Sequence, residues 1–125
     1  MPTPAPDDAR PVGTWRRAPG RDSGLWQGED AGAPVSGFVV AAGPGEGPGL
    51  HVHPYAETFV VLAGRGRFTV GERTVEAAGG DVLVVPGGTP HRFVGLAPGP
   101  LRMVTIHSAA RMVQHDLQPP GSDGA

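Results

Sequence analysis

The sequence predicts an all-β protein, a sandwich or barrel of antiparallel strands, and three observations carry that expectation. Short apolar, β-branched runs recur along the chain, among them VSGFVVAA at 35–42, ETFVVL at 57–62 and LRMVTIH at 101–107. Glycine and proline, 21 and 15 of 125 residues, punctuate these runs with turn signals about every eight to twelve residues. No long amphipathic helix is available to cover a parallel sheet, so the sheets must be antiparallel.

Taken in order, residues 1–19 read as a flexible Pro-rich segment, 20–117 as one domain and 118–125 as a flexible tail. Arg16, Arg17 and Arg21 flank a loop around Pro19 and Gly20 and are expected to be solvated. Leu25 and Trp26 start the first short strand, and 35–42 forms the second. A glycine-proline loop at 43–49 leads into a strand at 50–53, followed by another at 57–62. Gly64 to Gly66 is a turn, and 67–70 with 72–77 makes a hairpin about Gly71. Strands follow at 82–85, 90–94 and 101–107, for eight or nine in all. Residues 110–117, ARMVQHDL, are expected to form a short C-terminal helical segment held by Met112 and Val113.

Composition removes several classes of function. The chain has no cysteine, which excludes disulfides, thiolate ligands and cysteine nucleophiles. All ten basic residues are arginine, so a lysine Schiff base is excluded as well. A net charge of −2 with no long run of either sign gives no footprint for nucleic acid or an anionic membrane. The first residues lack an apolar signal core, and no apolar run approaches the ~20 residues of a membrane span. The expectation is a cytoplasmic protein whose partner is a small molecule.

The chemistry concentrates between Gly45 and Gly64, GEGPGLHVHPYAETFVVLAG. His51 and His53 stand two apart, and side chains at that spacing leave the same face of a strand. A turn at Pro54 can return Glu57 to that side, which places three ligating groups on one wall. His91, entering its strand after PGGTP, is the fourth candidate, because inward positions of different strands converge in a small closed sheet. A lone histidine is ordinarily a surface or satisfied core residue. A glutamate buried with two histidines and no cation, however, carries a large desolvation cost that a metal removes.

These residues resemble the two motifs of the cupin superfamily, as found in small single-domain microbial cupins. The first motif runs without a gap from Gly45 through His51, His53 and Glu57 to Gly64. The second matches at Gly80, Pro86, Gly88 and His91, and departs at Gly95, where the family usually has asparagine. The resemblance implies an antiparallel jelly-roll β-barrel with one divalent metal in its mouth. It implies His51, His53, Glu57 and His91 as the ligands.

Imidazole-rich sites with one carboxylate suit Fe, Mn, Ni, Cu, Zn or Co, so the ligand types leave the metal open. Glu57 is the candidate general base. Parity along the strands puts Phe59 and Val61 inward with Glu57, and Phe93 inward with His91. Met103, Thr105 and His107 share one face of the last strand; facing inward, His107 would sit beside the metal, and facing outward it would be a surface residue. Tyr55 either donates a hydrogen bond at the mouth or packs in its loop. Phe38 belongs to the core or the rim, Arg65 and Arg67 to a solvated hairpin, and His115 to the surface. The first functional expectation is a metal-dependent dioxygenase of small oxygenated molecules. The alternatives are a non-redox cyclase, isomerase or lyase, and a non-enzymatic ligand-binding or sensing barrel. A homodimer is expected, since Val- and Leu-rich sheet faces need cover.

Overall fold

The computed structural model describes residues 15–17 and 23–119. Most of the proposed N-terminal segment and the last six residues lie outside that range.

The described chain folds into eleven antiparallel strands in two sheets. They are β1 (Arg16–Arg17), β2 (Gly24–Gln27), β3 (Ser36–Ala42), β4 (His51–Val52), β5 (Glu57–Ala63) and β6 (Arg65–Val70), followed by β7 (Arg73–Ala78), β8 (Val82–Val85), β9 (His91–Gly95), β10 (Leu101–His107) and β11 (His115–Asp116). One sheet has the order β1-β2-β3-β10-β5-β8, the other β11-β4-β9-β6-β7. The chain crosses repeatedly between the two sheets, as in a jelly roll.

The alternation seen in the sequence sets which face of each strand is covered. In β5, Glu57, Phe59 and Val61 are buried while Leu62 is exposed; in β10, Leu101, Met103, Thr105 and His107 are all buried. The two strands pair with His107 opposite Glu57 and Thr105 opposite Phe59, so their inward residues lie side by side. β6 and β9 supply the facing wall through Phe68 and Phe93. Phe59 meets Phe68 edge-on at 5.4 Å and Phe93 at 6.1 Å, the arrangement that aromatic quadrupoles favour. This cluster closes one end of the space between the sheets, and the histidines occupy the other.

Three differences from the sequence expectations have physical causes. Residues 110–114 are irregular in place of the expected helical segment, and His115–Asp116 pairs with β4 as an added edge strand. The backbone groups of 110–117 find partners in neighbouring loops instead of a helix: the Ala110 carbonyl accepts from Glu29, and Leu117 and Gln118 donate to the Leu50 carbonyl. Those last bonds tie down the beginning of the expected tail. The sheet also starts earlier than residue 20, because Arg16–Arg17 pairs with β2. Finally, the turn after β5 is confined to Gly64, at φ 76°, and β6 begins at Arg65.

Gly47 shows why the loop before β4 has no side chains to spare. A Cβ there would lie 1.9 Å from the Phe93 carbonyl oxygen, so the loop can rest against β9 only with glycine at that position.

Leu101, with no exposed surface, anchors the end of the core away from the histidines. Leu101→Ala is expected to destabilise the fold by about 2–5 kcal/mol, read as a lower urea midpoint. Metal stoichiometry should be unchanged, and its loss would mean that the core and the site are not separable.

Candidate metal centre

Four side chains meet where the two sheets come together. β4 delivers His51 and, one residue past its end, His53; β5 begins with Glu57, and β9 begins with His91. His51 and His91 are direct register partners, and their rings lie 4.3 Å apart. All four residues are buried, at 5%, 2%, 3% and 2% exposure, although every one of them adjoins a loop. One ligand atom from each lies within 4.8 Å of the others.

The tautomers follow from the backbone. The Nδ1–H of His51 donates to the Gly49 carbonyl at 2.8 Å, that of His91 to the Thr89 carbonyl at 2.8 Å, and that of His53 to the Val113 carbonyl at 2.7 Å. A carbonyl only accepts, so each neutral ring carries its proton on Nδ1 and turns the Nε2 lone pair toward the centre. The Glu57 carboxylate also points there, with Oε1 3.0 Å from His91 Nε2 and 3.1 Å from His53 Nε2. With the rings neutral, lone pairs at that separation repel unless a positive charge, a metal ion or a proton taken up by an imidazole, lies among them. His53 Nε2 is buried and makes no hydrogen bond. The donor set, its convergence and this orphaned nitrogen all fit one divalent ion. Backbone acceptors on the far nitrogens are what a metal-bound imidazole normally uses to fix its orientation.

Burial and the neighbouring groups set the protonation states. Desolvation holds the His51 imidazole down at about 4, outweighing the carbonyl of Gly49. For His53 burial also pulls downward, but Glu57 and the Val113 carbonyl outweigh it and raise the imidazole above its ordinary value. Burial would raise the Glu57 carboxyl, yet His107, His53 and His91 favour its anion and hold it well below the usual carboxylate range.

His107 and Tyr55 lie directly against the cluster. His107 has no exposed surface, and its Nε2–H donates to Glu57 Oε2 at 2.9 Å. Its Nδ1 lies 2.7 Å from the Tyr55 hydroxyl, which donates to it when the ring is neutral and itself accepts the Val113 N–H at 2.9 Å. Tyr55 also stacks on His53, with ring centroids 5.2 Å apart and planes 8° from parallel. Burial lifts the Tyr55 phenol above its ordinary value.

A cavity of about 360 Å³ opens onto His51, His53 and Glu57. Phe38, Phe93 and Thr105 line it, while the other expected pocket residues lie elsewhere. Phe59, Val61 and Met103 are packed in the hydrophobic core, and His107 lies outside the lining, behind Glu57. Parity assigns a strand face correctly but not the depth along it. Ser23, Val40, Ala42, Glu46, Pro48 and Gln114 also line the cavity and were not singled out in the sequence. Arg65 is exposed and pairs with Glu76 at 3.2 Å; Arg67 and His115 are exposed. The Val113 backbone, sixty residues from His53, left no mark in the sequence. The Gly49 and Thr89 carbonyls did leave one, since each stands two residues before its histidine.

Two outcomes test this geometry. His91→Ala is expected to weaken divalent-metal binding roughly 100-fold or more, measured by chelator competition, with the thermal midpoint of the metal-free protein little changed. In the metal-free protein, His51 takes up its proton near pH 6.5 when unfolded and only near pH 4 when folded. The unfolded chain therefore binds the extra proton at His51 between these values, and the His51 contribution to stability falls as the pH is lowered through that window, by about 2–3 kcal/mol, against the opposite contribution of the raised His53 imidazole. Urea midpoints of the wild type and of His51→Gln, measured from pH 7 to pH 4, check the sign: the stability of the wild type relative to the variant should decline as the pH is lowered.

The comparisons with known proteins agree with this arrangement. The Cupin domain family model matches residues 38–107, which include all four cluster residues. An uncharacterized protein of Streptomyces coelicolor is 36% identical over 56 residues, 45% of this chain and 52% of its own length. Bacillus subtilis oxalate decarboxylase, in a structure concerned with its Mn(II) centres, has a TM-score of 0.70 at 23% identity, over 76% of this chain and 27% of its own. A structure of the substrate binding mode of oxalate decarboxylase has a TM-score of 0.72 at 22% identity, over 84% and 30%. At that identity the likeness is one of fold. The chain spans about half the length of the curated relative it matches and under a third of the decarboxylase chains. With the profile match spanning more than half of the sequence, and with both motifs folded around one His51–His53–Glu57–His91 cluster, the chain belongs to the Cupin domain family.

Proposed function

We propose that this protein is a divalent-metal-dependent enzyme acting on a small oxygenated organic molecule, and that the reaction is a dioxygenation. The observation that supports this most is the convergence of three Nε2 lone pairs and one carboxylate beside an apolar cavity. A bound ion would supply Lewis acidity and, if redox-active, a meeting place for substrate and dioxygen.

The chain's own residues would then divide the remaining tasks. His51, His53 and His91 hold the ion, each ring locked by its backbone acceptor. Glu57 presents Oε1 to the centre while His107 occupies Oε2, so Oε1 is the oxygen that would be offered to an ion. A substrate hydroxyl arriving from the cavity would meet Glu57 Oε1, which would take its proton as general base. His107 holds the carboxylate in line, and Tyr55 fixes the His107 tautomer. Phe38, Phe93 and Thr105 form part of the substrate wall.

One observation supports a second reading. The hydrogen-bonded series Tyr55–His107–Glu57 connects the cluster to a partly exposed phenol, and so provides a proton route that a non-redox lyase, isomerase or cyclase would need. Assembly as a homodimer also belongs to the proposal, supported by the exposed Leu62, Val82 and Val84 around edge strand β8.

Oxygen uptake by the iron-, manganese-, nickel- and copper-loaded protein against a panel of phenols, enols and 2-hydroxy ketones tests the first reading. Stoichiometric uptake with product formation is expected, and full turnover under nitrogen would sink it in favour of the second. His107→Ala is expected to lower turnover about 10–100-fold and to weaken metal binding about tenfold, with Tyr55→Phe milder in both.

A further inference from the structure

The cavity beside the cluster has a chemistry of its own. Phe38, Val40 and Ala42 on β3 and Phe93 on β9 supply its walls, and the cluster forms its floor. The hydrogen-bonding side chains along the walls each have a partner within the protein. Ser23 Oγ donates to the Ala41 carbonyl and accepts the Ala41 N–H, at 3.2 Å and 2.8 Å. Thr105 Oγ1 accepts the Phe38 N–H at 3.1 Å, and the Gln114 amide donates to Asp116 at 2.6 Å. Apart from the cluster, the charged side chain among the described lining residues is Glu46, an exposed carboxylate at the rim.

Resting on the reading of the floor as a metal centre, we infer that the cavity takes an uncharged aromatic or alicyclic molecule of one or two rings. Its single hydroxyl or enol oxygen points at His51, His53 and Glu57, and small dicarboxylates are disfavoured. The size agrees: a benzene ring occupies an apolar cavity of about 150 Å³, so 360 Å³ has room for two fused rings. The walls give such a ring apolar surface to bury. A dicarboxylate could place one group on the floor, but its second would lie among Phe38, Val40 and Ala42, with no arginine among the described lining residues to pair with it, and a buried carboxylate without a cationic partner is costly. Glu46 at the rim adds like-charge repulsion for any anion on its way in. The proposal separates this chain from the oxalate decarboxylases whose fold it shares.

The test uses the full chain loaded with zinc, which is redox-inert, and isothermal titration with 2-naphthol and with oxalate. Zinc content is measured on the same samples before and after. The expected result is 2-naphthol binding at least tenfold tighter than oxalate, with weaker but measurable 2-naphthol binding to the metal-free protein. Val40→Trp, which fills the cavity, should weaken 2-naphthol binding at least tenfold with zinc content unchanged. Glu46→Arg, a change at an exposed position that the fold does not depend on, should narrow the preference over oxalate at least threefold. Oxalate binding as tightly as 2-naphthol to the zinc-loaded wild-type protein overturns the inference. So does undiminished 2-naphthol binding by folded Val40→Trp. If the wild-type protein takes up no zinc, the metal reading fails alone, and 2-naphthol binding to the metal-free protein and its loss in Val40→Trp still decide the cavity.

Discussion

A carboxylate at 3% exposure, with its negative charge set among three inward-facing imidazole lone pairs, is the constraint on which the rest of this structure depends. Left uncompensated, Glu57 would be among the most expensive groups in the protein to bury. Its second oxygen is settled by His107, but its first faces only nitrogens whose own protons are spent on backbone carbonyls. The arrangement therefore calls for a cation. Three strands, two turns and one distant carbonyl are needed to set it up. The core follows from the same requirement, because the Phe59 ring that packs edge-on to His91 belongs to the aromatic cluster that joins the sheets.

Much of this was written locally in the sequence. Strand positions could be read because the apolar runs 35–42, 57–62 and 101–107 are long enough to show their alternation, and each became a seven-residue strand of the large sheet. The ligands could be read because spacing carries their geometry: two histidines two apart, and a loop before each histidine-bearing strand. Failures came where the partner is remote. Residues 110–117 look helical in isolation, with Met112 and Val113 suitably placed, yet their backbone bonds go to Leu50, Glu29 and Tyr55. Position along a strand was equally hidden. Phe59 and Phe93 both belong to the core, but Phe93 also reaches the cavity wall and Phe59 does not.

The division of labour between side chain and backbone explains why the site can be small. Each histidine needs an acceptor on its far nitrogen, and the fold supplies all three from peptide carbonyls. Two of them come from the residue two places upstream, so the loop that delivers the histidine also orients it. His53 lacks that local arrangement. Its acceptor is borrowed from the segment that β11 pins against β4.

The borrowed peptide is that of Val113, whose carbonyl orients His53 and whose N–H binds the Tyr55 hydroxyl. Its side chain, at 46% exposure, takes part in neither bond. A mutational survey would therefore record position 113 as tolerant, since nearly every amino acid presents the same peptide group. Proline, which has no N–H to give, would stand out as the lone exception. The position would pass for ordinary surface in any comparison of side chains, although its backbone touches both a ligand of the cluster and the residue behind it.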